Sequence, residues 1–524
     1  MPDYIYLLES RLSPEQRAVL ERVQELARSQ EMNVYLTGGA VRDLVCGQTI
    51  RDLDFTVEGN PARIVRELEK GGARAVWESE RLHHHEIIFA GDVGGSISGA
   101  RDEVYERPGA KAEHRFSSIM EDLRRRDFGI NAIAISLNAQ SRGLLLDPAN
   151  GLADLERQEV RALSIHAFTN QPVRLLRILR YSARMGFKIE QRTQEWFELA
   201  MERGLQANIE REDAGAEVSA LGREENPAAT LKLWETHGLL PAVHPLLQKK
   251  KPDYEGLGRL AKARANLLAV GIRPRQETSV VYYVLRRLKP RGTSAAMKQM
   301  GFRAAEVEAV GNIVGEAREI VQVLKSRKTN APRDAYFYLA SLPTEMLAFI
   351  PAEVPSAQAL SKIRSYIQKW RPMRLALPVG ELTALGVARG PKFDKILEQL
   401  FELQLRGKAR SPEDRTKALR QLAGIKEEPK KKPEKEKKKH KGKESAGHGS
   451  KALETKGAAP EPQDKTPAAA PSEPQGKEKG RSAASVIGAR AQAKHEKEGA
   501  RHGGKPHGAG VKHARASKAK VRRR

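Results

Sequence analysis

Residues 34–59, VYLTGGAVRDLVCGQTIRDLDFTVEG, decide the fold. VYLTG reads as an apolar strand, GAVRDLVC as a short helix and DLDFTVEG as a second strand. A strand that ends in Gly38 and Gly39 brings bare backbone to a helix start. Glycine permits unusual φ and close approach there, and exposed N–H groups favour phosphate. Two carboxylates, Asp52 and Asp54, come straight after. At i and i+2 of a strand they share a face, where they repel each other unless a cation joins them. Hard oxygen ligands on a rigid strand suit Mg²⁺ shared with a nucleoside triphosphate. Two such ions would activate an attacking hydroxyl and stabilise the departing pyrophosphate. Taken singly, the glycine pair is also a tight turn and the DxD a solvated acidic turn. Their succession in one strand–helix–strand unit favours the site.

Outward from this unit, residues 11–32 read as a helix, with Leu12, Val19, Leu20, Val23 and Leu26 near the helical period. ARIVRELEKGG reads as a helix closed by glycine, and HEIIFA and INAIAISL as further strands. The alternation describes a mixed α/β domain ending near residue 145. From about 150 to 425 the pattern is helical, with breaks at HPLLQKKKPDYEG, LKPRG, TNAPRD and LPVGE. After 425 the composition turns to Lys, Ala, Gly, Pro and Glu with almost no large apolar residues. Such a segment cannot offset its chain entropy by burial and is expected to be disordered.

The 524 residues carry a formal net charge of +26. A surplus of this size implies a polyanionic partner, most simply a nucleic acid. Residues 426–524 hold 28 Lys and Arg against 12 Asp and Glu, so +16 sits in the tail and about +10 in the remainder. The single cysteine, Cys46, excludes an intramolecular disulfide and reads as a small core residue. The N-terminus lacks the basic and apolar regions of a signal peptide, and no apolar run approaches a membrane span. A soluble, cytoplasmic protein without membrane contact is expected. In RLHHHEIIF only His83 and His85 would share a strand face, and the plain reading is a polar loop entering a strand. Trp77, Trp196, Trp234 and Trp370 are scattered and read as core or RNA-stacking residues.

GGAVRDLVCGQTIRDLDF resembles the signature GG-x-VRD-x3-G-x4-DxD of the tRNA nucleotidyltransferase and bacterial poly(A) polymerase family, within the polymerase-β-like nucleotidyltransferases. Gly38, Gly39, Arg42, Asp43, Gly47, Asp52 and Asp54 carry the match. The resemblance implies that Asp52 and Asp54 bind the catalytic metals, expected to be Mg²⁺. EDLRRRDFGINAIAI resembles a second family element. It implies that Arg125, Arg126, Asp127 and Asn131 lie near the phosphates and sugar of the incoming nucleotide, with Gly129 where the family has threonine. DPANGLADLERQEVRAL resembles the hinge from head to neck, matched at Asp147, Gly151 and Asp154.

FTNQPVRLLRILRYSARMGF resembles the element F-x-EDP-x-R-x-LR-x2-R, whose aspartate and first arginine read the incoming base in place of a template. Arg174, Arg177 and Arg180 match its arginines, while Asn170 and Gln171 stand where the acidic pair belongs. An aspartate only accepts hydrogen bonds, whereas glutamine accepts and donates. The Gln171 amide oxygen can still accept from the amino group of C or A, but the charge balance beside Arg174 changes. The neck segment is matched at Glu210, Arg211 and Glu217. A C-terminal segment resembling that of long CCA-adding enzymes is matched at Gly386, Gly390, Pro391 and Gly407.

The resemblance implies an α+β chain: a mixed α/β nucleotidyltransferase head (1–148), an all-α neck (149–245) and body (246–425), then a disordered basic tail (426–524). It implies transfer of nucleotides from CTP and ATP to an RNA 3′ end, most simply CCA or part of it onto tRNA. Arg42, Arg126, Asp127, Asn131, Gln171, Arg174 and Arg177, with the glycine pair, would bind the nucleotide. A poly(A) polymerase is the alternative, although WESERLHHHEIIF does not supply the GRRF-type stretch expected of one. A non-catalytic RNA-binding relative is a second alternative, opposed by the retained DxD. The sequence leaves oligomeric state open.

Overall fold

The helix expected over residues 11–32 is α2 (Pro14–Ser29); a separate helix, α1 (Tyr4–Arg11), precedes it, and Leu12 lies in the bend between them. The break is local chemistry. Ser13 accepts from Gln16 N, the Gln16 side chain accepts from Ser13 N, and Pro14 takes the first helical position, where no N–H is needed. Leu12, Val19, Leu20, Val23 and Leu26 are all buried, each contributing roughly 1.5–3 kcal/mol. The computed structural model describes residues 4–409 and 411–425. The reading of 426–524 as a disordered tail lies outside the described residues.

The head is built on a mixed sheet. Its strands are β1 (Asn33–Thr37), β2 (Leu53–Glu58), β3 (Arg74–Ser79), β4 (His84–Phe89), β5 (Val93–Gly99), β8 (Ala134–Ser136) and β9 (Leu145–Leu146). They run in the order β3-β4-β5-β2-β1-β8-β9. Between β5 and β8 a hairpin, β6 (Arg101–Val104) with β7 (Glu113–Phe116), stands apart as its own two-stranded sheet. All sheet neighbours are antiparallel except β2 and β5, which pair in parallel with Asp54 opposite Ser96. The glycine pair opens α3 (Gly39–Val45), and α4 (Ala62–Lys70) follows β2. Leu53, Phe55 and Val57 of β2 are buried. Asp54 therefore faces the other side of the strand. The expected strand INAIAISL is shorter than read. Gly129–Asn131 form a 3₁₀ turn, and only Ala134–Ser136 pair.

Beyond the head the chain is mostly helical. The neck holds α6 (Gly151–Arg157), α7 (Ala167–Asn170), α8 (Arg174–Met185), α9 (Gln191–Glu202) and α10 (Arg211–Ala220). It is not wholly helical, since Glu159–Val160 and Lys188–Ile189 form a short parallel pair. One apolar core runs from Leu8 in the head to Leu405, and a smaller one gathers Leu382, Phe393, Ile396, Leu400 and Leu419. Among the described residues no helix is long and apolar enough to cross a membrane.

Candidate nucleotide and metal site

Asp54 lies on β2, while Asp52 sits in the bend just before it, so the pair spans the strand start rather than its middle. The Asp54 carboxylate accepts from Ser96 Oγ at 2.8 Å. Burial pushes its pKa up, the charge of Asp52 pushes further, and the Ser96 hydrogen bond, Arg223 and Arg126 oppose them; the result is about 6. A second negative charge is thus disfavoured at this spot until a cation arrives. Both Asp52 oxygens already face cations. Arg275 Nη2 is 3.8 Å from Oδ1, and Arg223 Nη1 is 3.9 Å from Oδ2. Arg223 also reaches Glu86 at 3.7 Å and Glu277 at 3.4 Å. Arg275 fits over Asp52 because residue 94 is glycine. A Cβ there would stand 2.2 Å from Arg275 Nη2 and 2.6 Å from Asp52 Oδ1. Paired carboxylates, one strained by its neighbour's charge, are a donor set that fits a hard divalent cation.

The glycine pair links these carboxylates to the arginines. Gly38 has φ of +62°, which only glycine adopts cheaply, and a Cβ there would meet Arg126 Nη1 at 3.2 Å. A Cβ on Gly39 would lie 3.7 Å from Asp54 Oδ2. The Gly38 N–H is not free for phosphate, because it donates to Ile133 O. Arg126 Nη2 also donates to Thr56 Oγ1 at 3.2 Å. Thr56 lies two residues beyond Asp54 on the same face of β2, about 7 Å along the strand.

Arg126, Asp127, Gln171, Arg174 and Arg177 line one cavity of about 760 Å³; Gly38, Gly39, Arg42, Asp52, Asp54 and Asn131 do not. Asp54 borders a separate cavity of about 120 Å³ with Glu86, Ser96, Arg223 and Arg275. Arg42 lies inside the fold, away from the cavity lining. It is 1% exposed, and its guanidinium is spent on Asp43 (2.9 and 3.0 Å) and on Asn131 Oδ1 (2.6 Å). Asn131 in turn donates to Asp127 Oδ1 at 3.1 Å. Asp127 also receives Arg177 Nη1 at 3.1 Å, and Arg177 Nε binds Glu217 at 2.7 Å. Burial would raise the Asp127 pKa, but Arg177 and Arg174 outweigh it and hold the carboxyl below its ordinary range. Arg180 joins Glu217 to Glu224 at 2.9 Å each. Arg177 and Arg180 of α8 are thus locked into the neck by carboxylates of α10 and its flank.

Asp122, fully buried on α5 (Ile119–Arg124), holds both Arg125 and Arg126. Sequence reasoning quoted the EDL triplet without giving Asp122 this part. It also missed Glu103 and Tyr105 of the β6–β7 hairpin, both of which line the large cavity. Gln171 Nε2 donates to Glu103 Oε2 at 2.9 Å and to Tyr105 Oη at 3.1 Å. Asn170 Oδ1 accepts from Gly109 N at 3.0 Å, tying the hairpin loop to the same turn. Arg223 and Arg275 lacked any sequence signal, since only folding brings them to Asp52.

In the histidine run His84 and His85 open β4, and His83 precedes it in a turn. His83 stacks on Phe116 at 3.9 Å, and burial drives the His84 pKa down to about 4. Among the described residues no group of three or more His, Cys, Asp or Glu is placed to hold a metal. Cys46 caps α3 and packs against the core. Trp234 is a core residue whose Nε1 donates to Leu176 O, whereas Trp77 is exposed.

Residues 34–161 match the family model of the poly(A) polymerase head domain. The A-adding tRNA nucleotidyltransferase of Geobacter sulfurreducens is 26% identical over 80% of this chain and 48% of its own length. That of Halalkalibacterium halodurans is 34% identical over 44% of this chain and 55% of its own. The CC-adding tRNA nucleotidyltransferase of Deinococcus radiodurans is 28% identical over 79% of this chain and 96% of its own. The chain thus spans about half the length of the first two. Proteins of this kind generally use divalent metal ions. The strand–helix–strand unit, the retained DxD and the helical neck agree with these likenesses: residues 34–161 carry a poly(A) polymerase head domain, and the chain is similar to A-adding and CC-adding tRNA nucleotidyltransferases.

Proposed function

We propose that the chain is a template-independent RNA 3′-end nucleotidyltransferase that adds CCA, or part of it, to tRNA from CTP and ATP. One observation carries this reading: the Gly38–Gly39 turn lies between Asp54 and Arg126, so that a Cβ would stand 3.7 Å from the first and 3.2 Å from the second, and Arg126 lines the cavity of about 760 Å³. The likeness to A-adding and CC-adding tRNA nucleotidyltransferases supports tRNA as the acceptor.

Asp52 and Asp54 would hold Mg²⁺, whose ordinary protein ligands are one or two carboxylates with triphosphate oxygens supplying the rest. When bound, the ions supply activation of the 3′-hydroxyl and neutralisation of the departing pyrophosphate. The chain's own groups do the rest by positioning and electrostatics. Asp122 keeps Arg125 and Arg126 aimed along the cavity, where they would meet the triphosphate. Asp127, fixed by Asn131 and Arg177, would face the sugar. Gln171 and Arg174, which line the same cavity, would read the base edge. Arg174 is 6% exposed, and its buried Nε has no hydrogen-bond partner. A donor buried without a partner costs about 1–3 kcal/mol unless a ligand acceptor fills the place.

Three RNAs test the reading: tRNA ending before CCA, tRNA ending in CC, and an unstructured RNA, each with single labelled nucleotides. Addition of C, A or both to tRNA alone is expected. Long A tails on the unstructured RNA would favour a poly(A) polymerase, and no extension of any RNA would reject transferase activity.

A further inference from the structure

We propose that Glu103 and Tyr105 are positioning residues that fix the orientation of the Gln171 amide, so that this glutamine presents only its carbonyl oxygen to the incoming base. The inference rests on the base-reading assignment of Gln171 above. Glutamine is ambiguous by itself, because a half-turn of its amide exchanges acceptor for donor. Here the exchange is blocked. The Glu103 carboxylate can only accept, and it faces Gln171 Nε2 at 2.9 Å. Tyr105 donates its own hydrogen to the same carboxylate oxygen at 2.9 Å, which leaves its oxygen to accept the second amide hydrogen at 3.1 Å. Both amide hydrogens are then used. Among the described residues no hydrogen-bond partner takes Gln171 Oε1, and Gln171 lines the cavity.

The lock is itself held. The Glu103 side chain is 4% exposed, and Arg125 Nη1 binds its other oxygen at 3.1 Å. Burial and the Glu103 charge raise the Tyr105 pKa, so its hydroxyl stays protonated and donates. An acceptor at Gln171 beside the donors of Arg174 complements an exocyclic amino group next to a bare ring nitrogen. Cytosine and adenine carry that pattern; uracil and guanine present its inverse. The hairpin thus makes glutamine behave as an aspartate would, without adding a charge.

Equilibrium binding of CTP and UTP to the full-length chain, in magnesium-containing buffer, tests the inference and needs no RNA extension. Glu103→Gln offers an amide that can itself donate, so the Gln171 amide is free to turn. The CTP-over-UTP preference of the wild type is expected to fall at least tenfold. Tyr105→Phe leaves one amide hydrogen unpaired and should lower it about threefold. Asp has no donor to turn, so Gln171→Asp in the E103Q background should restore the preference to within threefold of wild type. Loss of fold at Glu103 would not be repaired at position 171, and thermal melting identifies it; the Tyr105→Phe result then decides. Equal binding of CTP and UTP by the wild type would overturn the inference. So would an unchanged preference in Tyr105→Phe and folded E103Q, or an E103Q loss that Gln171→Asp leaves unrepaired. A chain that discriminates as described yet extends no RNA would reject the proposed function and leave the inference standing.

Discussion

Asp54 pairs a pKa of about 6 with a carboxylate neighbour, and its value to the chain lies in that discomfort. Burial and Asp52 disfavour its charge, so a divalent cation binding both groups gains what the bare site lacks. Asp52→Asn and Asp54→Asn should each abolish nucleotide addition while leaving RNA affinity nearly intact. Losing a carboxylate removes charge stabilisation worth several kcal/mol, or a thousandfold and more in rate. Single-turnover extension of tRNA measures this, and activity within tenfold of wild type in either variant would move the metal site elsewhere. Arg42 makes the opposite point at the same scale. It belongs to the same signature, yet its charge is spent inside the fold on Asp43 and Asn131. The motif was legible as a motif; which of its members the fold buries was not, because burial is a property of the packed molecule.

Strands and helices were legible where their apolar period was strong and hidden where glycine diluted it. β1, β2, α3 and α4 follow from the sequence, whereas β5, VGGSISG, offers little β-propensity and was not read. Its glycines are there for contact. A Cβ on Gly95 would stand 2.1 Å from Leu53 O, so the parallel pairing of β2 with β5 needs a bare backbone at that point. Gly95→Ala should push the strands apart beside Asp54 and Ser96. It should lower the melting temperature by several degrees and depress activity more than it depresses RNA binding. A melting curve that superimposes on wild type would show that the ladder yields without cost. Tertiary partners such as Glu103 for Gln171, far apart in sequence, leave no periodic trace at all.

Packing between helices also sets a pH dependence. Glu345, on the helix Thr344–Glu353, accepts from both N and Oγ of Ser279 at 2.7 Å, near the start of the helix Glu277–Leu285. Burial pushes its pKa up to about 7, against the pull of those hydrogen bonds and with help from Glu277. The native state therefore binds this proton more tightly than the unfolded chain does. Its contribution to stability is full below about pH 4.3 and is lost as pH rises through 7. Glu345→Gln keeps an acceptor for Ser279 and removes the titration. The urea midpoint of the wild type should fall between pH 5 and pH 8 more steeply than that of E345Q, and E345Q should be the more stable at pH 8. Parallel pH profiles would assign the slope to other groups.

At the scale of the whole molecule the charge is unevenly shared. Residues 426–524 hold 28 Lys and Arg against 12 Asp and Glu, +16 of the total +26. The large cavity and the DxD pair both lie before residue 215, so on the proposed function base choice and long-range attraction to RNA would be carried by different parts of the chain. Basic residues that meet phosphates release counterions, which makes affinity fall with salt in proportion to the contacts made and carries no base information. Removing 426–524 should therefore weaken RNA binding at low salt, and log affinity should fall less steeply with log salt than it does for the full chain. The ratio of CTP to UTP use should stay the same, because Gln171, Arg174, Glu103 and Tyr105 remain. RNA affinity of the full-length and 1–425 chains at several salt concentrations, with nucleotide selectivity on tRNA measured beside it, separates the outcomes. Superimposable salt slopes would mean that the segment makes no phosphate contact and serves solubility alone. A changed selectivity would mean that it reaches the cavity lined by Gln171 and Arg174.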